Sequence, residues 1–93
     1  MSSEEFMKMA KQLVEDYEFK NDELMINSVG EPKAYIVWFA YELGHMKALL
    51  STQLPNHMYY EVTYNSNKNE IYFDVYHKLE NISYNVHEVN IND

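Results

Sequence analysis

The first part of the chain has the apolar spacing of one amphipathic helix. Ser2 precedes it with Glu5 three residues later, which is the pattern of a capping box. The spacing predicts a helix over about residues 3–19. Its apolar side comprises Phe6, Met9, Ala10, Leu13 and Tyr17. Its polar side comprises Lys8, Lys11, Gln12, Glu15 and Glu18.

A connecting segment, about residues 20–33, follows the helix. It loses the helical period, carries acidic residues and ends with Gly30 and Pro32. The short apolar run 24–26 within it fits either an extra edge strand before Ala34 or a helical turn, and the pattern leaves both open.

From Ala34 onward the apolar period is two. The segments AYIVWFAYE, MKALLST, MYYEVTY and EIYFDVYHK are separated by LGH, QLPNH and NSNKN, which favour turns. This pattern predicts an antiparallel meander over about residues 34–90. The expected architecture is an α+β fold in one domain, residues 1–93, with the helix packed on a sheet of four to six strands.

The strand register follows from keeping like faces together. The pairings are Tyr41 with Met46, Thr52 with Met58, and Tyr64 with Asn69. The predicted core face comprises Tyr35, Val37, Phe39, Tyr41, Met46, Ala48, Leu50, Thr52, Met58, Tyr60, Val62, Tyr64, Ile71, Phe73 and Val75. The opposite face comprises Ile36, Trp38, Ala40, Lys47, Leu49, Ser51, Tyr59, Glu61, Thr63, Tyr72, Asp74 and Tyr76.

That opposite face is too apolar and aromatic for a sheet left in water, so something is expected to cover it. The C-terminal segment, residues 79–93, is one candidate. Ile82, Tyr84 and Val86 alternate, and Val89 and Ile91 continue in the shifted phase. The segment fits either a bulged strand, which would leave the face open, or a crossing segment that covers it.

Charge and composition narrow the classes of partner. Fifteen Asp and Glu stand against seven Lys and Arg, giving a net charge of −8, and all seven basic residues are lysine. Direct binding to nucleic acid or an anionic membrane is therefore disfavoured. No cysteine is present, and the first residues lack the pattern of a signal peptide, so the expected location is the cytoplasm.

No catalytic, cofactor or metal signature is found. His45 and His57 fall at opposite ends of a predicted strand, whereas His77 approaches His57 without a recognised metal-binding spacing. Glu61 and Asp74 lie on an open sheet face rather than in a pocket. We therefore expect a protein that is not an enzyme and that has no cofactor.

Several short motifs between Tyr35 and Asn81 are similar to a known family. They are Val37-Trp38, KALLST at 47–52, Leu54-Pro55, MYYEVTYN at 58–65, and Tyr72 with Asp74 and Tyr76, together with Glu5-Phe6 at the helix start. On these motifs the chain resembles a family of short uncharacterised proteins, a domain of unknown function, encoded in phages and prophages of Gram-positive bacteria. Residues 20–33 and the C-terminal segment lie outside the resemblance. The family has no assigned activity, and the resemblance implies only that such phage accessory proteins are often non-enzymatic inhibitors of host or defence machinery.

The hypothesis from the sequence is a phage accessory protein that binds and inhibits a host nucleic-acid-handling or defence protein. The binding residues are expected to be Trp38, Lys47, Tyr59, Glu61, Tyr72, Asp74 and Tyr76, because aromatic rings with acidic neighbours suit a protein partner with a basic surface. The alternatives are a homodimer that stacks this face on itself, a homo-oligomer that sequesters a small signalling ligand, and an enzyme with an unrecognised site.

Overall fold

The computed structural model describes residues 1–90. Ile91, which the sequence pattern assigns to the shifted phase of the C-terminal segment, lies outside the described residues. Within that range the chain forms the following elements in order: α1 Ser3–Asn21, α2 Glu23–Val29, β1 Ala34–Glu42, β2 His45–Thr52, β3 Met58–Asn65, β4 Glu70–His77 and a 3-10 turn Val86–Glu88. The strands form one antiparallel sheet in the order β1-β2-β3-β4. With α1 packed on one face of this sheet, the predicted α+β fold is confirmed.

Helix α1 begins where the sequence predicts. The Glu5 N–H donates to the Ser2 Oγ at 3.1 Å, and acidic residues occupy the first turn. The buried line runs through Phe6, Ala10 and Val14, and Met9 is exposed. This line packs on the core face of β2 and β3, formed by Met46, Ala48, Leu50, Tyr60, Val62 and Tyr64. Neither α1 nor α2 is long and apolar enough to cross a membrane.

Helix α2 contains the short apolar run 24–26, whose secondary structure the sequence pattern left open. Ile26 is buried against the rest of the fold, whereas Leu24 is exposed. The Gly30 N–H donates to the Ile26 carbonyl, and Gly30 ends the helix with φ 101°. The alternative of an extra edge strand here is wrong.

The register of β2 against β3 has the predicted phase, and Tyr41 pairs with Met46 as predicted. Between β3 and β4, however, Tyr64 pairs with Ile71, two residues beyond the predicted partner Asn69. The four residues 66–69 form the turn, in which the Asn65 Oδ1 accepts the N–H groups of Asn67 and Lys68. A shift of two preserves both faces.

A β-bulge in β1 changes three assignments to the two faces. Ile36 pairs with Leu50, Trp38 pairs with Leu49, and the register shifts between them. Ile36 therefore packs on the core face, and Tyr35 lies on the opposite face, the reverse of the prediction. Val37 at the bulge is 49% exposed rather than buried.

The C-terminal segment adds no strand within residues 78–90. The Lys78 N–H donates to the His57 carbonyl, and beyond it the apolar side chains stay exposed. The prediction of a sheet reaching residue 90 is wrong, since β4 ends at His77. Residues 78–90 do not bury the aromatic face either, because Trp38, Tyr72 and Tyr76 remain exposed.

Glu18 belongs to the buried side of α1, and its predicted place on the polar side is wrong. Its side chain is 2% exposed. The Tyr60 hydroxyl donates to the Glu18 carboxylate, and the Asn56 amide donates to Glu18 at 2.8 Å and to Asp22 at 3.1 Å. Among residues 1–90 no basic side chain forms an ion pair with this buried carboxylate, so these donors compensate its lost hydration.

Tyr60 is held on three sides. Its ring stacks on Phe73 with centroids 5.6 Å apart and meets the Tyr17 ring edge-on at 5.8 Å. Burial and the hydrogen bond to Glu18 raise the pKa of Tyr60 above its ordinary value.

The turn between β1 and β2 gives the first prediction. Leu43 and Gly44 both have positive φ, 51° and 84°, as in a type I′ turn, and the Leu43 side chain is exposed. Because Asn tolerates this backbone better than Leu, Leu43→Asn should raise the unfolding free energy by about 1 kcal/mol, or the Tm by about 4–8 °C. Thermal unfolding measures the change. The same substitution at exposed Leu79 should have no comparable effect, and an equal gain there would contradict the explanation.

The buried carboxylate of Glu18 gives the second prediction. Tyr60→Phe removes a donor to a charged group and should cost about 1.5–3 kcal/mol in urea unfolding. Tyr64→Phe is the matched control, since the Tyr64 hydroxyl donates to the neutral amide oxygen of Asn69 at 2.9 Å. It should cost about 0.5–1.5 kcal/mol. A smaller loss for Tyr60→Phe than for Tyr64→Phe would contradict the role of Glu18.

The raised pKa of Tyr60 gives the third prediction. In the unfolded chain this phenol ionises near pKa 10.0, and in the folded chain only at higher pH. The contribution to stability is thus complete below about pH 10 and falls as the pH rises further, because the unfolded state releases the proton first. Unfolding free energies from about pH 9 to pH 11.5 should decline more steeply for the wild type than for Tyr60→Phe. Parallel declines would refute the assignment.

Candidate interaction surface

The sheet face opposite α1, here called the outer face, contains all seven residues predicted to bind a partner. The pairings across the strands arrange the face in three rows. The middle row is Trp38–Leu49–Glu61–Asp74, the row on one side of it is Ala40–Lys47–Thr63–Tyr72, and the row on the other side contains the pairs Tyr35–Ser51 and Tyr59–Tyr76. Neighbouring rows are about 7 Å apart along the strands, so the seven side chains form one continuous patch.

The aromatic side chains of this face are available to a partner. Trp38 and Tyr72 are each 41% exposed and Tyr76 is 50% exposed. The Tyr59 ring is half-buried, with the Lys78 Nζ 5.9 Å from its centroid. Rings that are this exposed and fixed on a regular sheet provide large contact area at little cost in side-chain entropy.

Two carboxylates meet at the centre of the outer face. Glu61 on β3 lies directly opposite Asp74 on β4. Like charges in this position repel each other and destabilise a sheet. The Lys47 Nζ lies 3.3 Å from the Glu61 Oε1, whereas Asp74 has no ion-pair partner in the described part of the chain. A cation from another molecule near Asp74 would relieve this repulsion.

A third acid, Glu70, holds the Tyr72 side chain at one edge of the patch. The Tyr72 hydroxyl donates to the Glu70 carboxylate at 2.6 Å, and this hydrogen bond raises the pKa of Tyr72. Glu42 and Glu70 occupy the next row of the same face, so acids flank the aromatic patch as well as divide it. The electrostatic character of the face is therefore acidic.

The face is open rather than concave. A shallow depression of about 260 Å³ lies at one end, lined by Ala40, Glu42, His45, Met46, Lys47 and Thr63. Neither Glu61 nor Asp74 lines it. A cavity of about 670 Å³ lies elsewhere, between the end of α1 and α2. An open face of this kind suits contact with a protein surface better than enclosure of a small molecule.

The histidines and carboxylates of residues 1–90 form no group of three or more that could hold a metal ion. His77 pairs across the sheet with Met58, the residue after His57, so these two histidines lie near the same end of β3 and β4. His45 lies at the other end, where its Nδ1 accepts the Ser66 N–H at 3.1 Å.

Tyr35 is the one exposed ring of this face that the sequence placed on the wrong side. The β-bulge at Val37 turns it outward, next to Ser51. The run around it, AYIVWFAYE, is apolar up to Tyr41 and contains no signal for the bulge. The outer face is consequently more aromatic than predicted.

Comparison of the chain with curated proteins and with solved structures gave no match. A family model matches residues 7–86, which include the connecting segment 20–33 and much of the C-terminal segment. The family likeness is thus wider than the motifs of the strands indicated. The chain belongs to DUF6275, a family of unknown function.

Proposed function

We propose that this protein is a non-enzymatic interaction protein that binds a basic surface of a protein partner through the outer face. The observation that carries the proposal is the placement of Glu61 opposite Asp74 between exposed tyrosines, with Lys47 as the one basic partner of that pair within residues 1–90. A lysine or arginine from a partner would complete the charge balance there.

The rings and acids have different roles in this proposal. Tyr72, Tyr76 and Trp38 act as anchors, because tyrosine and tryptophan dominate the binding energy of protein interfaces. Arginine or lysine side chains of the partner can lie over these rings while they pair with Asp74. The net charge of −8 increases the rate of encounter with a basic surface.

The biological setting is also part of the proposal. The resemblance to short proteins of phages and prophages suggests an accessory protein that acts in the cytoplasm of a Gram-positive host. Host nucleic-acid-handling and defence proteins have basic channels that bind phosphate backbones. An acidic protein that occupies such a channel would act as an inhibitor.

A heterologous partner agrees with the charges better than a dimer that stacks two outer faces. Stacking would bring Glu61 and Asp74 of one copy against the same acids of the other unless the faces were offset. Like-charge contacts across an interface cost several kcal/mol.

The fourth prediction concerns the tyrosines of the outer face. Affinity capture from a Gram-positive host extract should recover a partner with a basic surface, and its binding should weaken as salt is raised. Replacing a hot-spot tyrosine costs about 2 kcal/mol, or about 30-fold in Kd, so Tyr59→Ala combined with Tyr72→Ala should weaken the Kd by roughly 1,000-fold in a direct titration.

Tyr84→Ala is the matched control, since Tyr84 is exposed in the C-terminal segment, outside the outer face. It should bind as the wild type does. If the double variant retains the same partners with the same Kd and salt dependence, the outer face is not the binding surface.

A further inference from the structure

Strand β1 forms an open edge of the sheet. Its single neighbour among residues 1–90 is β2. Apart from the ladder to β2, its hydrogen bonds to the rest of the described chain are confined to its first residue, where the Ala34 N–H donates to the Glu15 carboxylate at 2.8 Å. The backbone from Tyr35 to Glu42 thus presents unpaired N–H and C=O groups along its outer side.

The two edges of the sheet differ in charge. At the opposite edge, β4 contains Glu70, Asp74 and His77, and Lys78 follows directly. Charged side chains of this kind normally prevent a further strand from pairing. From Ala34 to Tyr41, in contrast, β1 has no charged residue and no proline. It is the unprotected edge.

The open part of β1 is its second half. Glu15 already occupies the start of the edge, and the bulge at Val37 interrupts the ladder. From Trp38 to Glu42 the pairing to β2 is regular, and Tyr41 in this half is 61% exposed. A second strand therefore has one regular, accessible stretch on which to pair.

We propose that a second copy of this chain binds there, with residues 38–42 of the two copies paired antiparallel about a two-fold axis at Ala40. This arrangement is self-complementary, because each copy offers the same strand to the other. Phe39 then lies opposite Tyr41 of the second copy, and the small side chain of Ala40 lies opposite its own counterpart. The two sheets join into one of eight strands, and both outer faces remain open on the same side.

The charge of the chain restricts where a second copy can bind. Two chains that each carry a net charge of −8 repel each other, so they can associate only where the contact is uncharged. The stretch 38–41 meets that condition, and the outer face does not; Glu42, the one charged residue of the pairing, lies at its end, opposite Trp38 of the second copy. The paired stretch is short, so we expect a weak, reversible dimer that buries less than the roughly 800 Å² per partner of a standard interface.

Cysteine cross-linking tests the register, since the chain contains no cysteine of its own. Opposed residues of an antiparallel pair have Cα atoms about 4.5–5.5 Å apart, within the range of a disulfide. Ala40→Cys should therefore form a covalent dimer under mild oxidation. Tyr35→Cys, in the blocked half, and Thr63→Cys, on the outer face, should not, once circular dichroism shows that all three variants fold.

Equal cross-linking at Tyr35→Cys would show random collision, and preferential cross-linking at Thr63→Cys would show stacked faces. Either result overturns the proposal. A wild type that sediments as a monomer at every concentration where it stays in solution also overturns it.

Sedimentation of Tyr41→Lys gives an independent test, because it brings two charges into the proposed contact. The dimer should weaken by about tenfold or more. Leu79→Lys, at an exposed site in the C-terminal segment, should sediment as the wild type, and an equal effect of both substitutions would contradict the edge contact. Binding of Tyr41→Lys to a basic partner should be unchanged, so failure of the edge contact and failure of the proposed function are distinguishable.

Discussion

The stripe of Phe6, Ala10 and Val14 on α1 packs against β2 and β3, and this contact decides which face of the sheet is buried. A helix is about 10 Å wide with its side chains, and four strands span about 19 Å, so α1 covers little more than half of a single face. The hydrogen bonds from Tyr60 and Asn56 to Glu18 fix the C-terminal half of the helix on the same side. The other face receives no layer from residues 1–90. The rings of the outer face are exposed because the described chain has one long helix, and that helix covers the other face of the sheet.

Periodicity was sufficient where burial on one side decides the structure. Helix α1, β2 and β3 could be predicted because each has one side that packs in the core and one side that does not. Apolar residues therefore recur at helical spacing in α1 and at every second position in β2 and β3. The alternation within each of the four strands also assigned all seven candidate binding residues to the outer face. The shift at Ile71 escaped prediction, since a slip of two preserves the faces and leaves no trace in the pattern.

The errors arose where the pattern carries no information. In AYIVWFAYE both faces are apolar, so the bulge that exchanges Tyr35 and Ile36 has no signature. Glu18 was placed in solvent because a carboxylate is rarely buried, and its partners Tyr60 and Asn56 are about forty positions away in the chain. Alternation in the C-terminal segment predicted a strand, but alternation alone supplies no pairing partner.

The single tryptophan provides the most direct test of an uncovered outer face. Acrylamide quenching of Trp38 fluorescence should be measured on the full chain and on a chain ended after Lys78, at low protein concentration. An outer face left open by the fold predicts efficient quenching that is the same for both chains. Weak quenching in the full chain that rises when residues 79–93 are removed would show that the C-terminal segment covers the face, and would contradict this account.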